Sequence, residues 1–263
     1  MLTADQRTEF DRTGLLRLPG AVASVDAQDM SERVWSFLTT HDTVSRHEPA
    51  TWSTTRPSGF QPLTRSGGLD DMWSAEVRSA IGDLIDGKPR RERPMVLMTF
   101  PTAQAAWAVP TAGWHFDYVP LQAKLGLRAL QVFVVLTYVQ PGGGGTLVLA
   151  GSHRLVSRYV TDTGLEPRPR LVRAHLASLD PWLAELWDER AGGSAMNHER
   201  DRRLMVDGAV VDSVDLRVRE VSGSAGDVYL MHSDCFHAIA PNTRRIPRIM
   251  ATSVVTRIDA GSH

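Results

Sequence analysis

The chain has 263 residues, 42% of them hydrophobic and 22% charged, with a formal net charge of −1. That length buries a substantial core without covalent staples, and a near-neutral balance gives no electrostatic reason to expect nucleic acid or an anionic membrane as partner. A single cysteine, Cys235, excludes an intrachain disulfide; with no basic-then-apolar leader and no apolar run long enough to span a bilayer, a soluble cytoplasmic protein is expected.

The first third reads as helical. A helix is predicted over residues 3–13, followed by a short strand in "GLLRLPG", and Met30, Val34, Phe37 and Leu38 recur at helical spacing within "SVDAQDMSERVWSFLTT". From 41 to 68 the periodicity dissolves into Pro, Gly, Ser, Thr and Arg, as in a long functional loop. A further helix is predicted in "DDMWSAEVRSAIGDLIDG", capped by Asp70 or Asp71.

After Pro94 the character changes to short stretches rich in β-branched and aromatic residues: "MVLMTFP", "WHFDY", "LQVFVVLTYVQ", "GTLVLAG", "LRVREV", "DVYLMH", "CFHAIAP" and "RIMATSVVTRI". A mainly β domain with packed helices is predicted, a double-stranded β-helix (jelly-roll or cupin-like) barrel over 94–263 behind a helical third, 1–93, all in a single domain. Residues 156–207 interrupt the strands with Pro, Arg and the helical piece "DPWLAELWDE", read as a lid-like insertion over a mouth of the barrel. The run "GGGG" at 142–145 lacks the Lys and Ser/Thr of a phosphate loop and reads as a turn. "GSHR" at 151–154 reads as structural, with His153 at the end of a strand.

Within "WHFDY", side chains two apart on a strand share a face, so His115 and Asp117 can converge on a divalent metal. One more histidine completes a 2-His-1-carboxylate set, which leaves coordination positions open and suits non-haem Fe(II) oxygenases. His232 and His237 are both candidates; five apart, they face opposite sides of an extended strand, and His237 has the better case. Eleven residues on, Arg248 falls in a strand expected to pair back against the one bearing His237. A dicarboxylate chelating iron through its keto-acid end leaves a far carboxylate in an apolar interior, where a planar guanidinium is its best match. Cys235 is a small core residue or a soft site near iron, and Trp114, Tyr118 and Trp107 flank the metal segment as packing or as substrate-pocket residues.

Taken together, "EFDRTGLLRLPG", "WHFDY", "LQVFVVLTYVQPGGGGTLVLAGSHR" and "HSDCFHAIAPNTRRIPR" resemble the phytanoyl-CoA dioxygenase family of Fe(II)- and 2-oxoglutarate-dependent oxygenases; 41–68 and 156–207 match nothing in it. The resemblance implies iron held by His115, Asp117 and His237, and 2-oxoglutarate held by Arg248. Gln131 and Thr146 resemble positions that contact the co-substrate, though a polar residue at a strand edge explains either one equally. It further implies that O2 and 2-oxoglutarate are consumed, giving succinate and CO2, while an aliphatic C–H of a small molecule, a specialised-metabolite intermediate, is hydroxylated. Related halogenases lack the carboxylate ligand, so Asp117 favours hydroxylation; desaturation, cyclisation and epoxidation stay open. The rival reading is a jelly-roll protein without this chemistry: a binding module, or an isomerase or hydrolase using another metal.

Overall fold

The structure is a computed structural model that describes residues 1–52, 56–85, 87–102, 107–117, 127, 129–188 and 197–258. Three N-terminal helices form where the spacing places them, α1 (Ala4–Thr13), α2 (Ser24–His41) and α4 (Ala75–Leu84), whereas the stretch 41–68, expected as loop, contains the short helix α3 (Gln61–Arg65). Thr3 and Gln6 close a capping box on α1. The cap of α4 is Ser74, whose hydroxyl accepts from Val77 N–H, and the predicted caps Asp70 and Asp71 instead sit in a separate 3₁₀ turn.

Among the described residues, ten strands form two antiparallel sheets. In the larger, β1 (Leu15–Leu18), β8 (Val228–His232), β4 (Ala129–Val135), β10 (Arg248–Ile258) and β2 (Lys88–Arg91) lie side by side, and β3 (Met95–Thr99) also pairs β10. In the smaller, the order is β6 (Ala209–Val211), β7 (Val214–Glu220), β5 (Thr146–Ala150) and β9 (His237–Ile239). Neither sheet closes on itself among the described residues, so the predicted barrel is present as two open sheets.

Strand alternation sorts the apolar residues into three clusters. Leu130, Val132 and Val134 of β4 pack outward with the N-terminal helices, whereas Phe133 and Val135 point inward. The inner cluster also takes Tyr229, Met231 and Met250 from the large sheet and Val148 from the small one, so the sheets face each other across it. Leu147 and Leu149 point out of the small sheet into a third cluster, built with α5 (Ser152–Thr163), α6 (Pro169–Leu179), α7 (Pro181–Leu186) and Leu204, beyond α8 (Asn197–Arg202). The predicted insertion therefore backs the outer face of the small sheet, where its apolar faces pack on Leu147 and Leu149.

Three other local expectations are corrected. "GSHR" is not a strand end: Gly151, at φ +90°, starts α5. His115 makes a single bridge, not a strand. β10 does not pair with β9; Arg248 and His237 lie in different sheets. No helix among the described residues is long and apolar enough to cross a membrane.

Candidate metal and co-substrate site

The site begins with a backbone tether. His237 lies opposite Val148 of β5, an inner-cluster residue, so its imidazole points between the sheets. His115 is stitched to it by two hydrogen bonds: His115 N–H donates to His237 O (3.0 Å), and His237 N–H donates to His115 O (2.7 Å). Asp117 N–H donates to Ser233 O (3.2 Å), holding the segment's other end. As a result one potential ligand atom each from His115, Asp117 and His237 lies within 4.8 Å of the others, the only such group among the described residues.

Both imidazoles are oriented for ligation. Their Nδ1 atoms sit 2.8 Å from Gly113 O and 3.1 Å from Cys235 O, respectively. A proton on each Nδ1 satisfies those carbonyls and leaves Nε2 with its lone pair, the arrangement common among metal-bound histidines. Burial holds the His237 pKa below the usual histidine range, against the pull of Asp117, and His115 lowers it further. The neutral form is the one that binds metal. His232 is elsewhere, 4.8 Å from His153 and 6.4 Å from Phe10 between ring centroids. Cys235 is wholly buried in the inner cluster; burial pushes its thiol up to about 12, as befits a packing residue.

Across the interior stands Arg248, 1% exposed and directly opposite Thr99 of β3. One of its terminal nitrogens donates to Met250 Sδ at 3.6 Å, and its Nε has no acceptor. Burial and the nearby charge of Arg56 drive its pKa down to about 10, while Glu220 opposes them. Three more inward positions carry buried oxygens without partners: Thr99 Oγ1, Thr146 Oγ1 and Gln131 Oε1. Gln131 Nε2 donates to Thr252 Oγ1 (3.0 Å), which fixes the amide. Buried polar atoms are almost always satisfied, so this set of donors and hydroxyls from both sheets fits an oxygen-rich anion between them. The guanidinium and hydroxyls suit a carboxylate; the imidazole pair and Asp117 suit a divalent metal.

Thr99 was missing from the sequence reading. Its signal was available: it is the one hydroxyl in the inward register of "MVLMT". The glycine turn explains its surroundings, because a Cβ on Gly144 (φ +83°) would come within 2.9 Å of Thr99 Oγ1. Gly142 and Gly145 N–H groups donate to the Glu220 carboxylate at 2.8 and 3.1 Å, pinning the turn. Burial raises the Glu220 pKa, and those two amides and Arg248 draw it back.

The flanking aromatics divide. Trp114 is buried in the outer cluster with its Nε1 donating to Pro110 O (2.7 Å), which makes it a core residue rather than a pocket wall. Trp107 is partly buried against the same cluster, beside Gly142, with an unpartnered Nε1. Tyr118 lies outside the described residues.

Several solved structures share this fold. HygX from Streptomyces hygroscopicus, with nickel and 2-oxoglutarate bound, is 16% identical at a TM-score of 0.55, over 98% of this chain and 88% of its own. The non-haem alpha-ketoglutarate-dependent epimerase SnoN from nogalamycin biosynthesis is 16% identical at 0.56, over 96% and 81%. AviO1 from Streptomyces viridochromogenes Tue57 is 16% identical at 0.56, over 100% and 99%. No curated protein sequence matches the chain. The profile of the phytanoyl-CoA dioxygenase (PhyH) family matches residues 10–250, nearly the whole molecule and all of the site just described. This chain belongs to the phytanoyl-CoA dioxygenase (PhyH) family.

Proposed function

We propose that the chain is a cytoplasmic, single-domain Fe(II)- and 2-oxoglutarate-dependent oxygenase, its facing sheets the halves of a double-stranded β-helix, that hydroxylates an aliphatic C–H of a specialised-metabolite intermediate. His115, Asp117 and His237 hold the iron; Arg248 takes the far carboxylate of 2-oxoglutarate, with Thr99, Thr146 and Gln131 offering further polar contacts. The observation that carries the reading is Arg248, a buried guanidinium whose Nε has no acceptor, facing the same interior as the three candidate ligands. A buried charge with an unpaired N–H costs free energy, a cost that a dicarboxylate ligand offsets. A jelly-roll binding module, or an isomerase or hydrolase built on another metal, has no use for that charge. Support also comes from HygX and SnoN, whose descriptions name 2-oxoglutarate as ligand or co-substrate.

When bound, ferrous iron with 2-oxoglutarate and O2 supplies the oxidant for the C–H step. The chain's own contribution is positional. The Gly113 and Cys235 carbonyls lock both imidazoles with Nε2 forward. Arg248 fixes one end of the co-substrate, and Phe133, Val135, Val148 and Met250 line an apolar interior that keeps water out. Three protein ligands leave coordination positions for co-substrate and O2.

The test is succinate formation by purified protein with Fe(II), ascorbate and 2-oxoglutarate, first alone and then with candidate metabolites. His237→Ala is expected to abolish it and His232→Ala to leave it in place. Silence of the wild-type protein under every condition would sink the reading; a product epimerised or cyclised rather than hydroxylated would revise only its last step.

A further inference from the structure

The segment that carries two of the three candidate ligands is not part of a regular sheet. Between Val109 and Asp117 its only strand-like bridge to the described residues is His115 to His237. What holds its other end is a pair of buried charges in α8. Asp201, 9% exposed, accepts the Val109 N–H through Oδ1 at 2.9 Å, and Arg200, 4% exposed, donates to Val109 O at 2.6 Å. The same guanidinium donates to Leu186 O at 3.0 Å and to Glu185 O at 3.4 Å, carbonyls at the end of α7. Arg203, one turn on, pairs with the Glu185 carboxylate, and Trp182 Nε1 donates to Arg203 O at 3.3 Å. Helices α7 and α8 therefore form one hydrogen-bonded unit that grips both polar groups of a single residue.

A second contact reaches the segment between the ligands themselves. Phe116, between His115 and Asp117, meets Phe236 edge-on at 5.0 Å, and Phe236, the neighbour of His237, lies 5.4 Å from Trp187 at the end of α7. Val109, Trp114 and Phe116 all bury their side chains in the cluster formed with these helices. The helical insertion touches the metal segment at its root and behind its ligands.

We propose that Arg200 and Asp201 are positioning residues for the metal centre, and that the α7–α8 insertion is the brace that presets the separation of His115 and Asp117 from His237. Burying this arginine and aspartate carries a desolvation cost, and hydrophobic replacements of such pairs are often no less stable; the pair gives what an apolar contact cannot, a directional hold on the N–H and C=O of one backbone unit. Ligand sets lose affinity when the groups that orient them are removed, by roughly 10- to 100-fold. Coupling is reciprocal, so metal binding also tightens the brace.

The inference rests on His115, Asp117 and His237 being the metal ligands, and the experiment separates the two. Anaerobic Fe(II) is titrated into wild type, Arg200→Met, Asp201→Ala and Asp201→Asn by calorimetry, with hydrogen exchange at α7, α8 and the Val109 amide followed with and without the metal. Expected are a loss of Fe(II) affinity of roughly 10- to 100-fold in Arg200→Met and Asp201→Ala, and recovery to within about threefold in Asp201→Asn, which keeps the acceptor oxygen. Slowed exchange in α7 and α8 on adding Fe(II) to the wild type is also expected. At saturating Fe(II), the KM for 2-oxoglutarate stays near the wild-type value, because Arg248 belongs to the other sheet. If Arg200→Met does not fold, the two Asp201 variants decide. Equal Fe(II) affinity in Asp201→Ala and Asp201→Asn, or no change in exchange on metal binding, overturns the brace. Failure of the wild type to bind Fe(II) at all overturns the functional reading beneath it.

Discussion

Replacing Arg248 with methionine should move stability and co-substrate affinity in opposite directions. In the free protein the guanidinium is fully buried; among the described residues a terminal nitrogen donates to the Met250 sulfur, and Nε has no acceptor. Its folded pKa of about 10 lies below the ordinary arginine value, with burial the first cause and Arg56 the second. A base whose pKa is lowered by folding holds its proton less tightly in the folded state. The charge therefore penalises folding at every pH below about 10, and relief comes only as pH rises from there towards the ordinary arginine value. Substituting an apolar side chain of similar length for a buried charge that Glu220 offsets only in part is expected to stabilise the unliganded protein by about 1–4 kcal/mol. At about 2–4 °C per kcal/mol for a chain of this size, the melting temperature rises by a few degrees or more. Binding suffers the reverse. A bidentate pair supplies two charge-assisted hydrogen bonds of about 1.5–3 kcal/mol each, so about 4 kcal/mol is lost, near a thousandfold in Kd. Thermal unfolding without ligand and calorimetric titration of 2-oxoglutarate in the presence of Fe(II) measure both quantities. A variant that loses several kcal/mol of stability while binding 2-oxoglutarate as before would make Arg248 a structural residue and refute the reasoning.

Further outcomes follow from single atoms. Gly144→Ala puts a methyl at a positive φ within 2.9 Å of both Thr99 Oγ1 and Asn242 Cβ; it should cost about 1–3 kcal/mol and weaken 2-oxoglutarate binding. Gly20→Ala, at φ +62° but with nothing within 4 Å, should cost less and leave binding alone. Burial lowers the His153 pKa from 6.5 to about 3, aided by His232, so His153 stays neutral in the fold. Its contribution is complete above pH 6.5 and is lost as pH falls towards 3, at up to about 1.4 kcal/mol per pH unit. Urea midpoints of His153→Leu should therefore fall less steeply over that window than those of the wild type, and parallel curves would exclude the effect. The Cys235 thiol, fully buried and pushed up to about 12, should resist iodoacetamide at pH 8 until urea unfolds the chain, as intact mass would report.

Much of the site could be read one segment at a time. The two-residue period of "WHFDY" put His115 and Asp117 on one side, and the five-residue gap forced a choice between His232 and His237, because those inferences need only the geometry of a short extended stretch. The glycine turn was legible for the same reason. Errors arose where a partner lies far along the chain. A returning strand after "PNTRR" suggested a hairpin between His237 and Arg248, yet β9 pairs β5 and β10 pairs β4, so the two residues lie on different, facing sheets. "DPWLAELWDE" was recognisable as a helix, but which surface its apolar face covers depends on Leu147 and Leu149, some 35 residues earlier.

By itself, the order of residues determined which chemistry was available: two imidazoles, a carboxylate and a guanidinium, on short elements whose faces follow from local periodicity. The tertiary structure alone decided how these groups meet: that β9 brings His237, the histidine the sequence favoured, to the His115–Asp117 pair, that Thr99 faces Arg248, and that α8 holds the root of the segment bearing that pair. Local periodicity fixes which way a side chain points from its own strand. What stands opposite is set by long-range pairing and by burial of whole faces, and these exist only once the sheets have packed.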